Sequence, residues 1–400
     1  MNSEATGFFI YLLSFWVIFF IVYKIFKLEN YGVEFKPYLT ILCKTRKLNN
    51  LISRIALSMR SFWKVLFTIG IFLAIGELFF ITSFFVRNIF YYYYKISEIQ
   101  PVIPLIPGLT ISLNALPYFI VAALFIFIFH EFSHGISANI ENLNVKSVGI
   151  IFAVFIGGGF VELDEEEMKT ANFLSKLRIL ASGSTINLLT GVIALFMIAN
   201  FSYVIYPFYE LPSGVTVIEV IEGSPAKIYG IKYGDILFGI DGVKVNDVYD
   251  FTHLLNTIPA NSTIVLNTNR GDIVLIGGVH PYNYSKIFIG VRVFNYYPPR
   301  FSIPFLDHYF PYHYYNFLNW FEVISLSAAL INMLPIPFFD GGRFFEVLFN
   351  HKIFILRKIN FIGHNINIGE ILLEVLRGIS VILLFLNISQ SFLLNQMISR

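Results

Sequence analysis

The chain has 400 residues, of which 56% are hydrophobic and 14% charged, and its mean hydropathy is +0.68. A composition this apolar is typical of a protein that crosses a membrane several times, and it excludes an ordinary soluble enzyme. The net charge of +2 gives no basis for nucleic-acid binding. A single cysteine excludes an internal disulfide and any zinc site built from several thiolates, so histidines and carboxylates are the candidate ligands.

Two apolar segments, separated by a basic one, open the chain. Residues 7–23 are uncharged and long enough to cross a bilayer. A signal peptide is the alternative, which we disfavour because no basic residue precedes the segment and no small-residue cleavage site is evident. Residues 24–64 carry an excess of Lys and Arg, which predicts a cytoplasmic location. Residues 65–86 then cross outward and contain Glu77, either a functional carboxylate or, as we prefer, a neutral hydrogen-bonded one.

The third apolar segment ends in the motif FIFHEFSHG. It follows a proline-rich stretch, residues 101–108, that predicts an external non-helical connection. His130 and His134 are four residues apart and therefore share one helical face, with Glu131 beside the first. This spacing predicts a zinc hydrolase. Histidines at a helix end that bond to backbone carbonyls are the alternative, which the apolar setting makes less favourable.

The next two segments differ in length and in glycine content. Residues 147–161, SVGIIFAVFIGGGFV, are too short and too rich in glycine for a spanning helix, and they predict strands or a re-entrant hairpin. Such a hairpin could pair with an extended substrate, although a buried structural loop is an equal alternative. Residues 179–204 predict the next crossing, and they include Asn187. An amide at that depth needs partners and could donate to a developing oxyanion.

The composition changes again at residues 210–300, where alternating β patterns and Gly or Pro turns predict a soluble external domain with a short helix near 247–256. Residues 317–338 then return inward and lead into the sequence FFDGGR. This places Asp340 on an irregular turn at the same cytoplasmic level as His130. A last crossing is predicted near residues 376–395.

A hydrolytic zinc ion needs a third protein ligand and an open position for water. Asp340, Glu162 and Glu77 are the candidates, and Asp340 is favoured because its helix ends at the same face as the histidines. Glu131 is then the base that takes a proton from water and returns it to the leaving amine. Because such a site lies at the border of the bilayer, its substrate is a membrane-embedded peptide segment that must unwind locally.

In their chain order these residues resemble the site-2 protease family of intramembrane zinc metalloproteases. The matching positions are 105–108, 130–135, Phe160, Val161, Glu162, Gly183, Asn187, Asn332, Pro335, Pro337, Asp340, Gly341 and Gly342. The resemblance implies one catalytic zinc ion bound by His130, His134 and Asp340. It implies Glu131 as the catalytic acid and base, and Asn187 as a group that positions the substrate or stabilises the oxyanion. Ser184 and Phe339 depart from the usual proline and leucine, and neither position is a presumed ligand.

Residues that contact the substrate are predicted at Gly158, Gly159 and Phe160 in the glycine-rich segment and at Asn332. The external segment, with GSPA at 223–226, GDIL at 234–237 and IDG at 240–242, looks like a PDZ domain. PDZ domains bind an extended peptide or the C-terminus of a partner by strand addition.

The predicted fold is a polytopic α-helical membrane protein with about six transmembrane helices, a re-entrant β-hairpin and a small extracytoplasmic α+β PDZ-like domain. The predicted parts are an N-terminal transmembrane pair with its basic loop (1–104), the first part of a protease core (105–204), the PDZ-like domain (205–300), the second part of the core (301–345) and a C-terminal segment with the last span (346–400).

The predicted function is zinc-dependent cleavage of transmembrane segments of other membrane proteins, as in regulated intramembrane proteolysis, with the PDZ-like domain filtering substrates. The predicted location is the cell membrane, with the active site in the cytoplasmic half of the bilayer. Two alternatives stay open. One is a catalytically idle membrane scaffold or peptide-binding protein with a structural zinc ion. The other is a metalloprotease that faces the cytoplasm and whose third ligand is a glutamate.

Overall fold

The computed structural model describes residues 3–36, 39–94, 96, 98–153, 156–281, 283–351, 358–361 and 364–398. The chain divides into two compact units. The first unit comprises Met1–Leu195 and Asn319–Arg400, and the second unit comprises Phe196–Leu318. The five-part division predicted from the sequence stays a prediction.

The described part of the chain alternates long helices with short strands. In chain order the helices are α1 (Ser3–Ile25), α2 (Asn49–Ser58), α3 (Arg60–Tyr93), α4 (Leu116–Ile140), α5 (Glu165–Thr170), α6 (Phe173–Ala199), α7 (Phe201–Ile205), α8 (Pro225–Ile228), α9 (Val248–Thr257), α10 (Phe310–Asn332), α11 (Asp340–Phe349) and α12 (Ile368–Ile398). The strands are β1 (Val33–Lys36), β2 (Thr40–Thr45), β3 (Val145–Ala153), β4 (Ile156–Leu163), β5 (Val215–Val220), β6 (Ile236–Ile240), β7 (Val243–Lys244), β8 (Thr263–Thr268), β9 (Gly271–Ile276), β10 (Gly278–His280), β11 (Asn283–Phe288), β12 (Val291–Asn295), β13 (Lys358–Phe361) and β14 (His364–Asn367).

Among the described residues, five helical segments are long and apolar enough to cross a membrane. They are Thr6–Ile25, Arg60–Tyr93, Leu116–Ile140, Phe173–Ala199 and Ile368–Leu393. Helix α10, predicted as a sixth span, is not among them, since its first half is rich in tyrosine and carries His313 and Asn316, which lower its hydropathy. The predicted number of six spans therefore stays a prediction.

The first unit contains a four-stranded antiparallel sheet in the order β1-β2-β3-β4. The hairpin predicted in the glycine-rich segment is β3 and β4, paired from Val145↔Leu163 to Ala153↔Ile156. Strand β2 pairs along the other side of β3, from Thr40↔Ala153 to Thr45↔Val148. The sequence predicted only a basic loop in that region, although β1 pairs locally with β2; the second partner of β2, β3, lies about a hundred residues further along the chain. Whether the hairpin enters the membrane stays a prediction.

Helix α4 continues past the end that was predicted for it. The apolar segment was predicted to end in the motif at residues 127–135, whereas the helix extends to Ile140. The reason is burial: Ile136 and Ile140 pack with Ile52 of α2 and Phe67 of α3 in one apolar cluster. The motif therefore lies inside a helix, and the chain beyond it is anchored by its own apolar core.

A second apolar cluster joins helices that are far apart in the chain. It contains Ala74 and Leu78 of α3, Leu177 of α6, Phe344 of α11 and Leu373 of α12, together with the neighbours of each. Because Phe344 is 0% exposed, the start of α11 is fixed in place by burial only one turn after Asp340. The cluster thus determines where that carboxylate lies.

The second unit is built around an antiparallel sheet in the order β12-β5-β6-β8-β9, with β7 paired to β6. Val215, Val217, Leu237, Leu266 and Leu275 are each completely buried and form the centre of its core. The short helix predicted near 247–256 is α9, one residue later than expected. The alternating patterns therefore predicted the strand-rich character of this unit correctly.

The buried carboxylate of Asp235 forms an ion pair with the exposed Arg270 and so links two turns of the second unit. Nε of Arg270 donates to Oδ1 of Asp235 at 2.6 Å, and the main-chain N–H of Lys232 donates to Oδ2 at 2.8 Å. Burial opposes the charge on Asp235, but the hydrogen bonds and the charge of Arg270 outweigh it and hold the pKa of Asp235 below its usual value. The carboxylate is thus fully compensated.

Candidate metal centre

Helix α4 contributes two histidines to one cluster. His130 and His134 are 7% and 8% exposed, and their Nε2 atoms lie 3.3 Å apart. Residues four apart on a helix are neighbours on one face, so this arrangement follows directly from the spacing of the motif. The two histidines predicted as ligands therefore lie side by side.

Asp340 brings the third ligand atom to the same point. It is the first residue of α11 rather than part of an irregular turn, and its Oδ2 lies 3.1 Å from Nε2 of His130 and 3.1 Å from Nε2 of His134. These three residues are the cluster of potential metal ligands in the described part of the chain. Ligands about 2.0–2.2 Å from a tetrahedral zinc ion lie about 3.3–3.5 Å from one another, so the observed triangle is close to the required size.

The other two candidates for the third ligand are not part of this cluster, although Glu162 lines the same cavity as His134 and Asp340. Glu162 accepts a hydrogen bond from Oγ of Ser147 at 2.6 Å and pairs with Nζ of Lys44 at 3.4 Å, so its carboxylate is already engaged. Glu77 is 4% exposed within α3, and neither of its oxygens has a hydrogen-bond partner among the described residues. The geometry therefore favours Asp340.

Glu131 lines a cavity of about 320 Å³ together with His134, Asp340, Phe160 and Arg343, among others. Strand β4 packs against Glu131 at Gly159. A Cβ added to Gly159 would lie 2.6 Å from Cγ of Glu131, so only glycine allows this approach without displacing the carboxylate. Arg343, which sequence reasoning did not single out, is exposed at the cavity wall.

Helix α6 crosses directly over the ligand triangle at Gly183. A Cβ at that position would lie 2.5 Å from Nε2 of His130 and 2.6 Å from Nε2 of His134. Non-bonded atoms do not approach one another this closely, so any side chain at position 183 would occupy the space in which the three ligand atoms converge. Helix α6 therefore packs closely against the histidines at Gly183.

The rings of both histidines are held from behind by groups of α6. Nδ1 of His134 lies 2.7 Å from the carbonyl oxygen of Ile179, and Nδ1 of His130 lies 3.0 Å from Nδ2 of Asn187. Asn187 is thus at the site, as predicted, but its contact is with a ligand. The carbonyl of Ile179 escaped the sequence analysis because a main-chain oxygen leaves no signal in side-chain identity.

Of the remaining predicted substrate positions, Phe160 lines the cavity, Gly158 lies in β4, and Asn332 is the half-buried last residue of α10. Strand β4 is at the edge of the sheet that the described strands form, so one of its two sides is not paired within that sheet. Their roles stay predictions.

The helices and the ligand cluster together define an α-helical membrane protein with a His-His-Asp cluster that could hold a metal ion. The sequence profile of peptidase family M50 matches residues 118–369, more than half of the chain, and the chain therefore belongs to that family. The predicted relationship to site-2 proteases is confirmed.

Two relatives show how far the similarity extends. An uncharacterized protein of Methanocaldococcus jannaschii is 29% identical over 263 residues, which cover 64% of this chain and 62% of the relative. The Arabidopsis thaliana protein named membrane-bound transcription factor site-2 protease homolog is 23% identical over 245 residues, 61% of this chain and 47% of the relative. The chain thus matches roughly half to three fifths of the length of these relatives.

Among solved structures, the PDZ domain of the SdrC-like protein from Listeria monocytogenes is similar to part of the chain. It matches 20% of this chain and 87% of the domain with 20% identity and a TM-score of 0.19. The PDZ-like character of the second unit stays a prediction.

Proposed function

We propose that this protein is a zinc-dependent intramembrane endopeptidase that cleaves transmembrane segments of other membrane proteins. The observation that carries the proposal is that His130, His134 and Asp340 converge next to Glu131. Glu131 and the two histidines lie on α4, which is long and apolar enough to cross a membrane. Family membership and the name of the Arabidopsis relative support the same activity.

Zinc is the ion that the donor set fits best. Two imidazole nitrogens and one carboxylate oxygen leave the fourth tetrahedral position open, as in hydrolytic zinc sites. An ion held there supplies the Lewis acidity that makes water a nucleophile near neutral pH. The cavity beside the three ligand atoms provides room for water and for a peptide group.

Glu131 is the acid and base in this proposal. Its carboxylate accepts the proton of the attacking water and later donates that proton to the nitrogen of the leaving amine. Gly159 and Phe160 confine Glu131 and the substrate from the side of β4. An unwound substrate segment, added to the edge of β4 as an extra strand, would present its carbonyls to this side.

We also propose an orientation and a role for the second unit. The excess of Lys and Arg in residues 24–64 supports a cytoplasmic loop, a metal centre in the cytoplasmic half of the bilayer and a second unit outside. The strand-rich second unit is proposed to be a PDZ-like domain that binds an extended peptide or a C-terminus and so filters substrates before cleavage.

The test is cleavage of a single-span protein reconstituted in a bilayer, with Glu131→Gln as the matched variant and mass spectrometry to locate the new termini. We expect cuts inside the spanning segment by the wild type. We expect no measurable cleavage by the variant, because glutamine cannot accept the proton, and unchanged zinc content. Cuts confined to soluble loops would instead favour a protease that faces the cytoplasm. Zinc binding without cleavage of a broad substrate panel by either protein would favour the scaffold.

A further inference from the structure

We infer that Asn187 is a positioning residue of the metal centre: its side-chain oxygen accepts a hydrogen bond from Nδ1–H of His130 and thereby aims Nε2 of His130 at the cation. This differs from the role in contact with substrate that the family resemblance implies. The inference rests on the proposed function for the identity of the ion.

The other histidine shows what the site requires. Nδ1 of His134 lies 2.7 Å from the carbonyl oxygen of Ile179, which can only accept a hydrogen bond. Nδ1 of His134 therefore carries the proton, and its Nε2 lone pair faces the ligand triangle. Metal-binding histidines commonly have such an acceptor behind the ring, since it fixes both the tautomer and the ring orientation.

Asn187 occupies the corresponding position behind His130. It is 1% exposed, and one end of its amide, Nδ2, lies 3.0 Å from Nδ1 of His130. The other end, Oδ1, is buried and has no hydrogen-bond partner among the described residues. Among the described residues, the side-chain amide of Asn187 thus has one polar neighbour for its two ends, and that neighbour is His130, one of the three proposed metal ligands.

The proton on Nδ1 decides which end of the amide faces the ring. When Nε2 of His130 binds a cation, Nδ1 carries a proton and needs an acceptor. Nδ2 is a donor and cannot serve, whereas Oδ1 can. A half turn of the amide exchanges the two ends with almost no change of shape. Either orientation leaves one end without a partner, so the hydrogen bond to Nδ1 determines the choice.

The main chain of Asn187 is held where this contact requires it. Its carbonyl oxygen accepts a hydrogen bond from Oγ of Ser325 at 2.8 Å, and Ser325 is 0% exposed. Nδ1 and Nε2 are on different sides of the imidazole ring, so the amide lies behind His130 as seen from the three ligand atoms. The amide of Asn187 is therefore better placed to contact the ring of His130 than to contact the carbonyl of a substrate at the ligand atoms.

The test measures zinc affinity of the full chain in bilayer discs by competition with a chromophoric chelator, without any substrate. Asn187→Leu keeps the size of the side chain and removes the acceptor, and we expect its zinc dissociation constant to rise by about 10–100-fold. Asn187→Asp keeps an oxygen for Nδ1–H, and we expect an affinity close to that of the wild type. Asn187→Ala replaces the leucine variant if that protein is not recovered, with the same expected loss.

Thr185→Val is the matched control on the same helix. It removes the hydrogen bond from Oγ1 to the main-chain oxygen of Ala181 and keeps the shape of the side chain, and we expect unchanged zinc affinity. Equal affinity in Asn187→Leu and the wild type would overturn the inference while leaving the proposed protease intact. An equal loss in the leucine and aspartate variants would also overturn it, since packing alone would then explain the effect. A wild type that binds no zinc would overturn both proposals.

Discussion

Two carboxylates, one in each unit, are compensated in different ways. In the second unit Asp235 is paired with Arg270 and with a main-chain N–H, so groups of the protein balance its charge. In the first unit Oδ2 of Asp340 lies 3.1 Å from Nε2 of His130 and from Nε2 of His134, an arrangement that a cation between the three atoms would satisfy. Buried polar groups are costly unless they are fully paired or bind a metal. Asp235 is thus complete without an ion, as is Glu141 of the first unit beside Arg178, whereas His130, His134 and Asp340 form a site that a cation completes.

The largest expected effect is the loss of a ligand in the first unit. Asp340→Asn removes the anionic oxygen 3.1 Å from both Nε2 atoms. We expect zinc affinity to fall by more than the roughly 10–100-fold that loss of an outer hydrogen bond costs. Equilibrium competition with a chelator measures it. Glu162→Gln is the control, because that carboxylate is engaged by Ser147 and Lys44. The choice of Asp340 fails if zinc binding survives its loss and not the loss of Glu162.

The next largest effect is expected when a side chain at position 183 enters the space beside the ligand atoms. Gly183→Ala places a Cβ 2.5 Å from Nε2 of His130, so we expect zinc binding to weaken sharply and the free energy of unfolding to fall by about 1–3 kcal/mol. Zinc titration and thermal unfolding measure the two quantities. Gly76→Ala in α3 is the control, because nothing lies within 4 Å of its added Cβ. Equal zinc affinity in both variants would contradict the proposed packing of α6 on the site.

The smallest effect is expected in the second unit, and it should leave the metal centre unchanged. Arg270→Ala leaves Asp235 buried without its main partner, and we expect the second unit to lose about 1–3 kcal/mol of stability at neutral pH with no change in zinc affinity. Hydrogen exchange of the β5, β6 and β8 amides, measured in the full chain, reports this loss. Arg292→Ala is the control, since that arginine forms an exposed pair with Glu219.

The same pair makes the second unit sensitive to acid. The pKa of Asp235 is lowered in the folded state, so the pair stabilises the fold fully above the unfolded pKa of about 3.9. That contribution is lost as the pH falls through the folded value. We expect exchange in the second unit to accelerate below about pH 4 in the wild type and to lose this dependence in Asp235→Asn. An identical pH profile in both proteins would show that another group is responsible.

Local pattern predicted much of the fold. The apolar helices followed from length and composition, and the second unit from alternation and turn residues. The end of α4 was missed because the continuation of the helix to Ile140 is accompanied by the burial of Ile136 and Ile140 against α2 and α3, which are distant in sequence. Strands β1 and β2 form a local hairpin, but the pairing of β2 with β3 is distant in sequence and could not be predicted from local pattern.

The site was predictable where one helix defines it and less so where helices cross. His130 and His134 follow from a spacing of four residues. Asp340 was chosen from three carboxylates on topology, and the structure brings that one to the histidines. The contact of Asn187 with Nδ1 of His130 depends on how α6 crosses α4, which no local pattern encodes. For the same reason the sequence suggested a polar role for Asn187 and could not name its partner.

The central position of the motif in α4 has a consequence for local opening. Helix ends fray readily, but His130 lies fourteen residues after Leu116 and ten before Ile140, well away from both ends. Exposing the main-chain amides of the motif to solvent therefore requires most of the helix and its apolar cluster to open together, at a free energy near that of unfolding the whole unit. We expect the amides of the motif to be among the last to exchange with solvent. Control of such an enzyme would then act on the admission of substrates and not on the assembly of the site.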